Sequence, residues 1–230
     1  MTTTLNSAQN GKVEFFENAV KRGVLSAQDL QDYKEQKKQF QTEEIFLRKQ
    51  LTGLSGVLEL INENDVRKNC VTNLSKGSVP EEKNIIMDKL GVRFGYSATQ
   101  IDPALVAYTN AIFNIADTDF DAGTTATGDT TYARVIPVQF QNSEYEFRAD
   151  GVLVDTGRME DLLTQNVSVD GVNGGDKNFK QLEWPKLLLS GKKLAFDIKF
   201  PEATGVPIPA GFFYAEIVAK GLGLGKRQVQ

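Results

Sequence analysis

Leu194, Phe196, Ile198 and Phe200 alternate with Ala195, Asp197 and Lys199, and no other stretch of the 230 residues limits the fold as tightly. Successive side chains of a strand point to opposite faces, so this period of two describes a strand with one face on a core and one in water. A second run, Phe213 to Lys220, has the same reach and ends in Gly221. Between the runs stand Pro201, Gly205, Pro207 and Pro209, which cannot sit inside a ladder. Residues 182–221 therefore read as two long strands joined by a rigid polar turn.

Upstream, Val92-Arg-Phe-Gly-Tyr-Ser97 reads as a strand starting at about Leu90, with Ile86, Leu90, Val92, Phe94 and Tyr96 sharing one parity. Residues 80–89 stay open between helix and strand. Residues 104–116 do too, because their alanines suit a helix and their Val, Tyr, Ile and Phe suit a strand. Pro137 makes the run 135–141 an edge strand or a bulge, and Tyr145 to Arg148 is a further strand. Asp150-Gly151 supplies the residue types that tolerate positive φ, and so predicts a hairpin turn into Val152-Leu-Val154. Arg158 to Leu163 suits a short helix. Six or more short strands after residue 90, without regular helix alternation, describe an antiparallel β-sandwich. No repeat of 20–50 residues is evident, which argues against a solenoid or propeller.

The first 11 residues are polar. Val13, Phe16, Ala19 and Val20 predict a short amphipathic helix closed by Gly23, and Ser26-Ala-Gln-Asp29 reads as a capping box. Positions 30, 33, 37, 40, 44, 47, 51, 54 and 58 step by three and four, and all but Lys37 and Glu44 are apolar. That spacing predicts a helical seam, packed on the protein's own body or reaching a neighbouring subunit, with the charged pair setting register. The expected organisation is a helical N-terminal arm over 1–62, a connector over 63–89, the sandwich over 90–221 and a flexible tail over 222–230.

Composition narrows the chemistry. A net charge of −4 argues against a chain-wide nucleic-acid footprint, which needs a basic excess. No apolar run approaches the roughly 20 residues that span a bilayer, and Met-Thr-Thr-Thr-Leu-Asn lacks the marks of a signal peptide. The expectation is a soluble protein made in a cytoplasm. The single cysteine, Cys70, excludes an internal disulfide and suggests a small buried side chain. There is no histidine, which removes the commonest general base, the Ser-His and Cys-His pairs and the usual transition-metal ligand. Carboxylate, lysine or tyrosine chemistry remains, or no chemistry at all.

Asp117, Asp119 and Asp121 stand at alternate positions, like the first three ligands of a calcium loop. Gly123 comes one residue late and Gly128 holds the place of the chelating glutamate, so a solvated turn-rich loop is the competing reading. Asp170, Asn173 and Asp176 form a second oxygen-rich loop with the same two readings. No other cofactor is expected. Gly221-Leu-Gly-Leu-Gly-Lys-Arg227 lacks the following helix that a phosphate loop requires, and reads as a tail with two positive charges. Ser190-Gly-Lys-Lys193 falls where a turn is expected, not at a helix start. Trp184, before Pro185, is read as a core or sheet-edge aromatic against a sugar-stacking platform.

Three pieces resemble small bacteriophage virion proteins with a jelly-roll-like sandwich. They are the strand Leu90 to Ser97, the segment Ile136 to Val154 with its Asp150-Gly151 hairpin, and Trp184-Pro185 through Gly221. The resemblance covers roughly residues 84–221 and implies a virion structural subunit, a coat or capsid-associated protein without enzymatic turnover. Its implied partners are copies of itself and other virion proteins, with nucleic acid touched only through tails and no membrane span. Location in the virion follows. The alternative class is a ligand-binding sandwich, carbohydrate-binding or adhesive, with an exposed aromatic platform and calcium dependence. A histidine-free enzyme would instead need two carboxylates converging in a pocket.

Overall fold

In the computed structural model, the residues described are 14, 17–21, 26–35, 38–81, 83–109, 136–163, 179–202 and 211–226. Among these residues nine strands run in chain order: β1 (Lys38–Gln50), β2 (Val57–Ile61), β3 (Ile85–Ser97), β4 (Tyr108–Thr109), β5 (Glu144–Ala149), β6 (Val152–Arg158), β7 (Lys180–Leu188), β8 (Leu194–Lys199) and β9 (Phe212–Lys226). The protein is mainly β. One five-stranded sheet has the order β1-β9-β3, with β4 and β7 sharing the far edge of β3; the four-stranded second sheet has the order β2-β8-β5-β6. All pairings are antiparallel. They are also nested, because β1 pairs β9, β2 pairs β8, β3 pairs β7 and β5 pairs β6. This is the pairing of one long hairpin closed at Asp150-Gly151, with β9 also paired to β3 and β8 to β5.

The alternation in β8 sets the core. Leu194, Phe196 and Ile198 point inward and are buried, as is Phe200 just beyond the strand. They join Tyr145 and Phe147 of β5, Ile45 and Leu47 of β1, Val92 and Phe94 of β3 and Ile217 of β9 in one hydrophobic cluster drawn from both sheets. The Phe196 ring stacks on Tyr145 at 5.6 Å between centroids and tilts against Phe147 at 6.0 Å. Burying one such phenylalanine contributes about 2–3 kcal/mol. At the hairpin tip, Asp150 and Gly151 take φ of 53° and 78°, the left-handed pair a two-residue turn requires.

Several expectations change. The helical seam through 30–58 is replaced: a helix spans only Ala27–Lys34, and from Lys38 the chain is β1, paired with β9 along its whole length. Lys and Glu-rich helix propensity is worth tenths of a kcal/mol per residue, and thirteen paired positions override it. The start of that helix agrees with the sequence, since Ser26 Oγ accepts from the Gln28 backbone N–H at 3.1 Å. Asp29 does not close the box but accepts from Lys38 Nζ at 2.6 Å, which raises the lysine's pKa mainly through that hydrogen bond. The tail expected from 222 is strand through Lys226. Gly221 belongs there because an added Cβ would run into the Ile86 carbonyl of β3. Pro137 does not interrupt an edge strand; it precedes a single helical turn, Val138–Gln141. β3 begins at Ile85, five residues early, and carries a register shift between Met87 and Lys89 that turns Ile86 away from Leu90, Val92 and Phe94. Ile86 packs with Ala19, Val20, Phe40, Leu187 and Leu189 in a separate small cluster, bringing the helical stretch 17–21 onto this sheet. In 104–109 the chain makes a 3-10 turn, Pro103–Leu105, and then β4; residues 110–116 lie outside the described residues.

Candidate functional site

The side of the second sheet turned away from the core carries a run of charged residues. The register of β2, β8 and β5 sets Glu59 beside Asp197 and Asp197 beside Glu146, three carboxylates in a row across adjacent strands. Like charges in such a row repel. Two cations relieve two of the three: Arg148 Nη1 donates to Asp197 Oδ2 at 3.2 Å while its Nη2 reaches Glu146, and Lys199 Nζ donates to the other Glu146 oxygen. The carboxyls respond in opposite directions. Burial, with the Glu59 and Glu146 charges adding to it, raises the Asp197 pKa against the pull of Arg148. The hydrogen bond from Lys199 holds Glu146 below its ordinary value.

Next to this row opens a cleft of about 310 Å³ between β2, β8 and the tip of the β5–β6 hairpin. Its walls carry Glu59, Glu63, Asp197, Lys76, Arg148 and Lys193, equal numbers of each sign, and Glu63 pairs with Lys193. Such a surface can hydrogen-bond a polar partner of either charge. Among the described residues no group of three Asp, Glu or Cys side chains converges enough to hold a metal ion.

Two further clusters use the chemistry a histidine-free chain retains. Tyr145 donates from its hydroxyl to Asp155 Oδ2 at 2.6 Å, and Lys180 Nζ donates to that hydroxyl at 2.7 Å and to Asp155 at 3.0 Å. Burial first, then the Asp155 bond, pushes the phenol far above its ordinary range, so it stays protonated and serves as a donor rather than a base. Lys180 belongs to β7 and the other two to the second sheet, so the trio ties the sheets together. On the first sheet, Glu216 is 2% exposed and lies between Arg48 Nε at 2.7 Å and Arg93 Nη1 at 2.9 Å. The Arg48 guanidinium also lies 5.3 Å from the Tyr108 ring centre and donates to the Cys70 carbonyl at 2.9 Å.

Asp117, Asp119, Asp121, Asp170, Asn173 and Asp176, the calcium candidates, lie outside the described residues. Cys70 is exposed rather than buried, at a φ of 61°. Trp184 is at a sheet edge and is 68% exposed. It and Pro185 sit in an irregularity of β7 where residues 182–185 oppose Asp88 alone. Ser190 to Lys193 makes the expected turn, with Gly191 at a φ of 71°. The carboxylate row was not anticipated. Its signal was present, since Asp197 and Lys199 are the polar members of the β8 alternation and Glu146 sits between Tyr145 and Phe147. Pairing, which one strand cannot show, brings them together. No protein-family model matches this chain, and no curated protein matches it.

Proposed function

We propose that this protein is a structural subunit of a virus particle, a coat or capsid-associated protein with a jelly-roll-like sandwich that works by self-assembly. The observation that carries the reading is the nested pairing of β1 with β9, β2 with β8, β3 with β7 and β5 with β6. Leaving aside the two-residue β4, eight strands wound as one folded hairpin are the arrangement of jelly rolls, a fold that recurs in capsid and lectin domains. The fold alone does not choose among those functions. Assembly is supported further because Arg148 and Lys199 pair with Asp197 and Glu146, and the protonated Tyr145 is held by Asp155 and Lys180, so these groups serve the fold. No turnover is assigned to them. The partners in this reading are copies of the chain and other virion proteins, and its location is the virion.

A ligand-binding sandwich is the second reading, favoured by the exposure of Trp184. Light scattering with negative-stain imaging of the purified protein tests both. Rings, shells or tubes are expected. A persistent monomer that binds glycans, and loses that binding on Trp184→Ala, would establish the second reading instead.

A further inference from the structure

Every sheet edge presents a row of unpaired backbone groups, and proteins blunt such edges with covering loops, prolines, bulges or brevity. Three of the four edges here are blunted. The outer side of β1 is met by the segment 70–73, with Arg48 N–H donating to the Val71 carbonyl at 2.8 Å, Asn73 N–H to the Phe46 carbonyl at 3.4 Å, and Phe46 N–H to Asn73 Oδ1 at 3.0 Å. The edge shared by β4 and β7 is broken by the irregularity at Trp184-Pro185. β2 is five residues long and has a register shift of its own. β6 differs. Its seven residues, Val-Leu-Val-Asp-Thr-Gly-Arg, contain neither proline nor lysine, and among the described residues its backbone bonds only to β5. Val152 is 69% exposed and Leu153 51% exposed along it.

We propose that β6 is an interface strand that pairs antiparallel, about a two-fold axis, with β6 of a second copy of this chain. The strand is complementary to itself. The shift between Phe147 and Arg148 puts Leu153 and Thr156 on the outward side, opposite Arg148 and Glu146. A register placing Leu153 of each copy beside Thr156 of the other keeps outward side chains outward. It also carries Arg158, 75% exposed on its side chain, to the Asp150-Gly151 turn of the other copy. Asp150 is exposed as well; it pairs with Lys192 and Arg158 with Glu160 within each copy, so at both ends of the pair the contact adds an opposite charge to an existing surface ion pair. Two-fold closure satisfies both edges at once and leaves neither open. The second sheet then continues across the pair as eight strands.

This partner deepens the assembly reading and rests on it only for the choice of a second copy, so the test separates the two. For the full chain, sedimentation over a range of concentrations is expected to show a dimer or a multiple of it. Amide hydrogen exchange is expected to slow at Val152–Arg158 as concentration rises. The double variant Val152→Lys/Leu153→Lys, at exposed positions, is expected to weaken association at least tenfold while keeping the wild-type melting transition. Arg158→Glu is expected to weaken it on the order of tenfold, through repulsion from Asp150. If β6 amides are already fully protected in dilute monomer, the edge is covered by its own chain and the proposal falls. It falls equally if both variants associate like wild type. A β6-dependent dimer that never forms particles would overturn the virion reading and leave this one standing, whereas particles indifferent to both variants would do the reverse.

Discussion

Gly221 shows how one atom fixes the spacing of two strands. Alanine there must push the Ile86 backbone aside, and such overpacking costs about 1–3 kcal/mol. Urea unfolding of Gly221→Ala should show that loss with an unchanged m-value. Glu216 tests a different cost, because its removal strips two arginines of their shared carboxylate. Both arginines reach solvent in part, so Glu216→Ala should lose on the order of 2–3 kcal/mol, less than a fully buried pair would. In the carboxylate row the two shifts have opposite signs. Asp197, with its pKa raised in the folded protein, contributes stability at low pH that disappears as pH rises through that value. Glu146, held low by Lys199, contributes stability above the ordinary carboxylate pKa and loses it as pH falls. Melting temperatures at pH 3 and pH 7 should therefore diverge: relative to wild type, Asp197→Asn fares better at pH 7 than at pH 3, and Glu146→Gln fares worse.

At the scale of elements, β8 is the strand whose faces were legible from its residues alone. Phe196 is fully buried between Tyr145 and Phe147, so Phe196→Ala should cost about 3–5 kcal/mol, and Phe196→Asp should leave no cooperative thermal transition. A folded, assembling Phe196→Asp protein would contradict the inward register of β8. The Asp150-Gly151 hairpin was equally readable, because positive φ restricts residue choice locally. The parity of β3 was not readable before Leu90, since one inserted residue near Asp88 exchanges the faces and leaves no mark in composition. β1 was concealed differently. Ile45 and Leu47 do alternate toward the core, yet the apolar residues around them include both parities and mimic a helical step of three and four. The carboxylate row depends on register between strands up to 138 positions apart, from Glu59 to Asp197, and no local pattern encodes that.

Across the whole molecule, contacts are remote in sequence. β1 meets β9, so Lys38 lies opposite Lys226. Loop closure of that span precedes any reward from pairing, which places folding among the slow, millisecond-to-second domains. Stopped-flow refolding should fall in that range. β9 is bonded on both sides, to β1 and to β3, and it follows both of them in the chain. A sheet in which a middle strand is synthesised after both of its neighbours cannot be built in the order it is translated. Until the residues through Lys226 have left the ribosome, β1 and β3 have no common neighbour, and the nascent chain presents an unfilled slot in place of a sheet. Ribosome-bound chains should thus remain protease-sensitive up to that point. In the assembly proposed above, such a delay would keep half-made chains out of the growing particle, with translation as the checkpoint.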